Sequence, residues 1–195
     1  MTGLTTIQTF SGAAIDLEHV ERALIDPLDI AVALSRTARW GGHTDVPYTV
    51  AQHSLYASAL APRNLELTAL LHDASEAYLG DCVRPLKALL GSAWGAIEQR
   101  VERAIALRFG LVWPWPQVVH DIDERLLATE YRDLLRARVD SFGRPFEFPI
   151  VPHKPRRVLR QFVARFEFMA GEPIDRGRLP RSRKAWLRGR QRGAA

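Results

Sequence analysis

Cysteine is almost absent. Cys82 is the single one among 195 residues, so no disulfide can close within the chain and nothing requires an oxidising compartment. No apolar run approaches the roughly 18 residues of a bilayer span, which excludes a transmembrane helix of the ordinary kind. The N-terminus has hydroxyl and acidic residues where a secretory leader would have a basic patch followed by an apolar stretch, so no leader is expected and the expected compartment is the cytoplasm. Acidic residues are missing after Asp175, whereas eight Lys and Arg follow it, from Arg176 to Arg192. Setting those eight aside leaves 19 basic against 22 acidic residues, a charge of −3, although the whole chain carries +5. The basicity therefore belongs to a short Arg- and Gly-rich tail over 176–195, expected to be flexible, and not to the body of the protein.

What is present reads as helix. Hydrophobic residues make up 47% of the chain, enough for a core in one domain over 1–175. Only Ile7–Phe10 and Ala14–Leu17, with Ser11-Gly12 as the turn, read as strand, a short hairpin-like segment. Asp26-Pro27 is a helix opening, with apolar positions to Ala38 and a stop at Gly41-Gly42. Thr49 caps a second helix, and Asn64 caps a third that runs to Gly80. A short helix over Arg84–Leu90 precedes a long one capped by Ser92, with Trp94, Ile97, Val101, Ile105 and Phe109 at helical spacing. Two more follow, at about 117–138 and 154–169. The sum is an all-α domain of six or seven helices.

Reactive side chains concentrate in Leu70-Leu71-His72-Asp73-Ala74-Ser75-Glu76-Ala77-Tyr78-Leu79-Gly80-Asp81. At spacings of three and four, His72, Asp73 and Glu76 project from one side of a helix, and Gly80 lets the chain bring Asp81 back toward them. Three carboxylates and an imidazole beside an apolar segment are costly to bury without a compensating cation. Nitrogen and oxygen donors of this kind suit Mn, Fe, Co, Ni or Zn, with Mg also compatible. Two adjacent residues cannot complete a coordination sphere, so His53 and then Asp123 are the candidates from other helices. Read alone, His53 is equally a core histidine, and Asp121, Asp123 and Glu124 are equally a solvated first helical turn. Arg39, Arg84 and Lys87 are nearby sources of positive charge, Trp40 a ring for stacking or packing, and His43 after two glycines a further phosphate contact. The pairs His120-Asp121 and His153-Lys154 receive no role.

The pattern His53 … His72-Asp73 … Asp123 resembles the signature of the HD-domain phosphohydrolases, an all-helical family. Arg39-Trp40, Gln52-His53-Ser54 and His72-Asp73-x-x-Glu76-x-x-x-Gly80-Asp81 are similar to its bacterial 5′-deoxynucleotidase branch, which includes phage dATP triphosphohydrolases. The likeness spans about residues 6–170 and leaves the basic tail outside. It implies a divalent metal held by His53, His72, Asp73 and Asp123. Asp123 is preferred to Asp121 because Ile122-Asp123-x-x-Leu126-Leu127-Ala128-Thr129-Glu130 resembles the helix carrying the last ligand. The resemblance further implies that Glu76 handles the attacking water, that Asp81 assists the leaving oxygen, and that Arg39 and Trp40 touch substrate. The segment Asp81-Cys82-Val83-Arg84 matches a substrate loop by position, with different residue types after Asp81.

The expected function is metal-dependent hydrolysis of the 5′ phosphate ester of a deoxynucleoside monophosphate. A dATP-type triphosphohydrolase is the first alternative, and a non-catalytic nucleotide or nucleic-acid binding module is the alternative from another class. The expected partner is a small nucleotide, with no membrane association and at most a weak nucleic-acid contact through the tail. The family resemblance also implies a homodimer.

Overall fold

Asp26 and Pro27 start the first helix for the reason their chemistry suggests. In a computed structural model, which describes residues 4–20, 25–136 and 143–180, Asp26 is extended and its Oδ1 accepts from the Leu28 amide at 2.8 Å. Ahead of it, β1 (Thr6–Gln8) and β2 (Ala14–Asp16) form the expected antiparallel hairpin, with Ile7 opposite Ile15. The helices that follow are α1 (Pro27–Leu34), α2 (Val50–Leu60), α3 (Glu66–Leu71), α4 (Glu76–Leu79), α5 (Arg84–Phe109), α6 (Gln117–Leu134) and α7 (Pro155–Ala170). The fold is all-α with a short N-terminal hairpin. No helix among the described residues is long and apolar enough to cross a membrane.

Several boundaries differ from the sequence reading. α1 stops at Leu34, well before Gly41-Gly42. The Ser35 hydroxyl donates back to the Val32 carbonyl at 2.9 Å and the Thr37 hydroxyl to the Ala33 carbonyl at 3.0 Å, competing with the helical amides for these acceptors. Ala38 then pairs with Thr49 in an isolated bridge, and Arg39–Gly42 forms a 3₁₀ turn in which Trp40 has φ 60°. Thr49 occupies the cap position of α2, but its buried hydroxyl makes no hydrogen bond. Asn64 lies inside a 3₁₀ turn, Arg63–Leu65, and caps nothing.

The expected single helix from Asn64 to Gly80 is divided into α3 and α4. Between them the amides of Ala74 and Glu76 bond three residues back, to Leu71 and Asp73. The segment His72–Ser75 is thus wound more tightly than an α-helix. α5 does break at the expected place, Gly91, whose φ 61° and ψ −141° lie outside helical space. α6 ends at Leu134 because Leu135 is extended; the rest of its expected span falls partly outside the described residues.

One apolar cluster joins Leu28, Leu34, Leu70, Leu71, Ile105, Phe162 and Phe166, and a second joins Tyr48, Ala57, Val119, Ile122 and Leu126. α2 bridges the two, with Val50 and Ala51 in the first and Ala57 in the second. Each large side chain fully buried contributes about 1.5–3 kcal/mol, so α2 is held from both sides and His53 in its middle is fixed with it. The start of the expected tail also packs on the body. Arg176 pairs with Glu167, Arg178 pairs with Asp26 at 2.6 Å, and Leu179 lies against the core. Residues 181–195 of that tail lie outside the described residues.

Candidate metal centre

Two histidines are turned toward each other by what their far nitrogens hold. His53 Nδ1 lies 2.6 Å from Glu130 Oε1, and His72 Nδ1 lies 2.8 Å from the Ala69 carbonyl. A carbonyl and a carboxylate only accept, so both Nδ1 atoms carry hydrogen, and in the neutral imidazoles both Nε2 atoms present lone pairs. Those two Nε2 atoms stand 3.4 Å apart. Asp123 Oδ1 is 3.2 Å from His53 Nε2, and Asp73 approaches both rings, Oδ1 at 3.3 Å from His72 Nε2 and Oδ2 at 3.5 Å from His53 Nε2. Lone pairs of four acceptors converging in a largely buried place repel one another unless a cation sits among them.

The residues therefore fit a metal ion on donor chemistry alone, and one ligand atom each from His53, His72 and Asp123 lie within 4.8 Å of one another. The same demand for positive charge appears in the titration of His53. Burial and Arg39 push its pKa down, yet Glu130 and Asp123 hold it up at about 10. Asp123 is kept far below the usual carboxylate range: burial opposes this, but the hydrogen bond from His53 and the charges of His53, His72 and Arg39 outweigh it.

Glu130 is the residue that sequence reasoning missed. Wholly buried, it takes His53 Nδ1 on one oxygen, and on the other Arg39 Nε at 3.2 Å and Trp40 Nε1 at 3.1 Å. Burial raises its pKa, but Arg39 and His53 bring it down to about 2. A signal for it exists. Glu130 follows Asp123 by seven residues, two helical turns, on the same stripe of α6 as the buried Leu126 and Leu127. A carboxylate at such a position must have partners.

Arg39 is buried in the same network. Besides Glu130 it reaches Asp73 Oδ2 at 3.2 Å and stands 4.0 Å from Asp123 Oδ1, so one guanidinium orients two candidate ligands and the carboxylate behind a third. Trp40, in the left-handed region, spends its indole N–H on Glu130.

Beside the centre lies a cavity of about 290 Å³, onto which Asp73 and Asp123 open together with Arg39, Trp40, Glu76 and Asp81. Arg84 and Lys87 also line it, each already paired: Arg84 with Glu124 at 2.7 Å and Asp123 at 3.4 Å, Lys87 with Glu98 at 2.6 Å. Glu76 is buried and its Oε2 has no hydrogen-bond partner. Burial first, then the charges of Asp73 and Asp81, raise its pKa to about 9. Asp81 is raised too, mainly by burial. Gly80, at φ 79°, turns the chain so that Asp81 reaches the cavity, as the sequence suggested.

All the expected site residues meet here except His43, which is exposed and does not line the cavity. The turn at Trp40-Gly41 directs the indole inward and leaves His43 on the outside. Asp121, the rival of Asp123, is exposed and accepts from Gln117 Nε2 at 2.9 Å.

No family model matches the sequence. Two relatives do. The uncharacterized protein YfdR of Escherichia coli (strain K12) is 35% identical over 170 residues, covering 84% of this chain and 94% of its own. An uncharacterized protein of Rhodobacter capsulatus is 37% identical over 152 residues, covering 69% of this chain and 78% of its own. The chain belongs to the YfdR family. The match to the Escherichia coli protein extends over most of both chains.

Proposed function

We propose that this member of the YfdR family is an HD-type phosphohydrolase that cleaves the 5′ phosphate ester of a deoxynucleoside monophosphate with a divalent transition metal held by His53, His72, Asp73 and Asp123. The observation that carries the reading is the pair of Nε2 atoms facing each other at 3.4 Å, flanked by two carboxylates and opening onto a cavity. When bound, the metal supplies Lewis acidity to a water and to a phosphoryl oxygen. The imidazole and carboxylate donors favour Mn, Fe, Co, Ni or Zn.

The chain's own groups divide the remaining work. Burial and the charges of Asp73 and Asp81 hold Glu76 protonated. With a bound cation offsetting those charges it would ionise, and its oxygen free of hydrogen bonds would take the proton of the attacking water as the water's oxygen bonds to phosphorus. Asp81, on the same cavity, gives a proton to the 5′ oxygen as the phosphorus–oxygen bond breaks. Arg39 holds Asp73 and Glu130 in place, and its charge also faces the phosphate. The Trp40 ring, Val83 and Leu127 offer apolar surface to the sugar and base. A monophosphate is favoured over a triphosphate because Arg39, Arg84 and Lys87, cations on the cavity wall, are each paired with carboxylates. Little positive charge is left for three phosphates.

The test is release of phosphate and of tripolyphosphate from a panel of ribo- and deoxynucleotides with Mn²⁺, Co²⁺ or Mg²⁺. Phosphate from a deoxynucleoside monophosphate is the expected product. Glu76→Gln should lower turnover about 10²–10⁴-fold while leaving metal uptake intact. Tripolyphosphate from dATP would replace the monophosphate reading with the triphosphate one. A folded, metal-loaded protein that turns over no nucleotide would sink the enzyme reading.

A further inference from the structure

A second cavity, of about 360 Å³, shares no residue with the first. It lies between the C-terminal end of α1, the first turns of α7 and the chain at Leu179-Pro180, and Arg36, Arg156 and Arg160 converge on it with Ser35. The rest of its wall is leucine and proline, so it contains neither a carboxylate nor an aromatic ring. Among the described residues none of these three arginines forms an ion pair, in contrast to Arg39, Arg84, Arg108, Arg165 and Arg178. From Phe148 to Phe166 the sequence has no acidic residue and five cations, Lys154, Arg156, Arg157, Arg160 and Arg165. The first turn of α7 has no acid to offset its dipole either. Arg36 lies over the Phe10 ring at 5.6 Å, and all three arginines are exposed with no carboxylate paired to them among the described residues.

We infer that this cavity binds the phosphodiester backbone of a nucleic-acid strand without reading its sequence. Unpaired arginines match phosphate in charge and in fork geometry. The absence of a stacking ring or of a hydrogen-bonding acid leaves nothing to recognise a base, which argues against a free mononucleotide as the natural occupant. The site also continues beyond one phosphate. Lys154 and Arg157 are exposed beside it. The contact made by the described residues is fixed on α1 and α7, so it does not depend on the tail alone.

The test is fluorescence anisotropy of the full chain with a mixed-sequence 20-nucleotide single strand bearing hydroxyl ends, in chelator, at stepped salt. Wild-type protein should bind, and the double variant R156Q/R160Q should lose at least about tenfold in affinity near 0.1 M salt, with a log–log salt slope shallower by about 1.4. R156K/R160K should keep most of the binding. R63Q/R144Q, which removes equal charge from exposed positions elsewhere, should leave affinity and slope unchanged. Equal losses in R156Q/R160Q and R63Q/R144Q, no loss in R156Q/R160Q, or no binding by wild type would each overturn the inference. Binding of dATP that is sensitive to R156Q/R160Q, without binding of the strand, would overturn it in favour of a mononucleotide site.

Discussion

At the scale of single residues, the centre depends on a carboxylate that touches neither cavity nor metal position. Glu130 fixes the His53 tautomer through Nδ1 and holds Arg39, which in turn holds Asp73. Partners of this kind typically matter 10–100-fold in metal affinity. Glu130→Gln should therefore weaken Mn²⁺ or Co²⁺ binding by about that factor, read by titration against a competing chelator. Metal affinity equal to that of the wild type would reduce Glu130 to a packing role. The ligand candidates themselves were legible in the sequence because metal chemistry needs rare residue types at short spacing, and His72-Asp73 with Glu76 and Asp81 supplies them. Glu130 showed only as a carboxylate on the apolar stripe of α6, and its burial was needed to give it a role. His43 shows the converse: a plausible residue type beside two glycines, placed outside by a backbone turn that no pattern announces.

At the scale of elements, local hydrogen bonding decided the boundaries. The hydroxyls of Ser35 and Thr37 bond back to helical carbonyls at the end of α1, whereas Gly41 and Gly42 serve the later turn that aims Trp40. Gly91 is a clean case for measurement. Its φ and ψ belong to glycine, and a Cβ there would meet nothing within 4 Å, so any cost of adding one comes from the backbone. Gly91→Ala should destabilise the protein by about 1–3 kcal/mol in urea unfolding. Gly95→Ala, four residues on inside regular helix and with equally open space, should stabilise it by up to about 1 kcal/mol. Similar effects at both positions would mean that the helix does not break at Gly91.

For the whole molecule, the centre ties together segments far apart in sequence: His53 on α2, His72 and Asp73 between α3 and α4, and Asp123 on α6. A cation gathered there acts as a cross-link specific to the folded state. Mn²⁺ or Co²⁺ at a hundred times its dissociation constant should stabilise the fold by about 2.7 kcal/mol, seen as a rise in melting temperature that a chelator reverses. Asp123→Asn should abolish most of that rise. A metal-independent melting temperature in the wild-type protein would remove the centre from any role in binding these ions.

The sequence by itself determined the helical class, the N-terminal hairpin, the break at Gly91 and the identity of the ligand candidates. Each of these rests on local causes: hydrophobic periodicity, the conformational range of Gly and Pro, and the donor chemistry of His and Asp. Tertiary structure alone buried Glu130 behind His53, exposed His43, and brought Arg36 on α1's end beside Arg156 and Arg160 on α7; it also turned Asp123, already preferred to Asp121 on the family resemblance, toward the two histidines. Those outcomes depend on which helix faces which, and that is set by how two apolar clusters pack around α2, a non-local balance that no window of sequence contains.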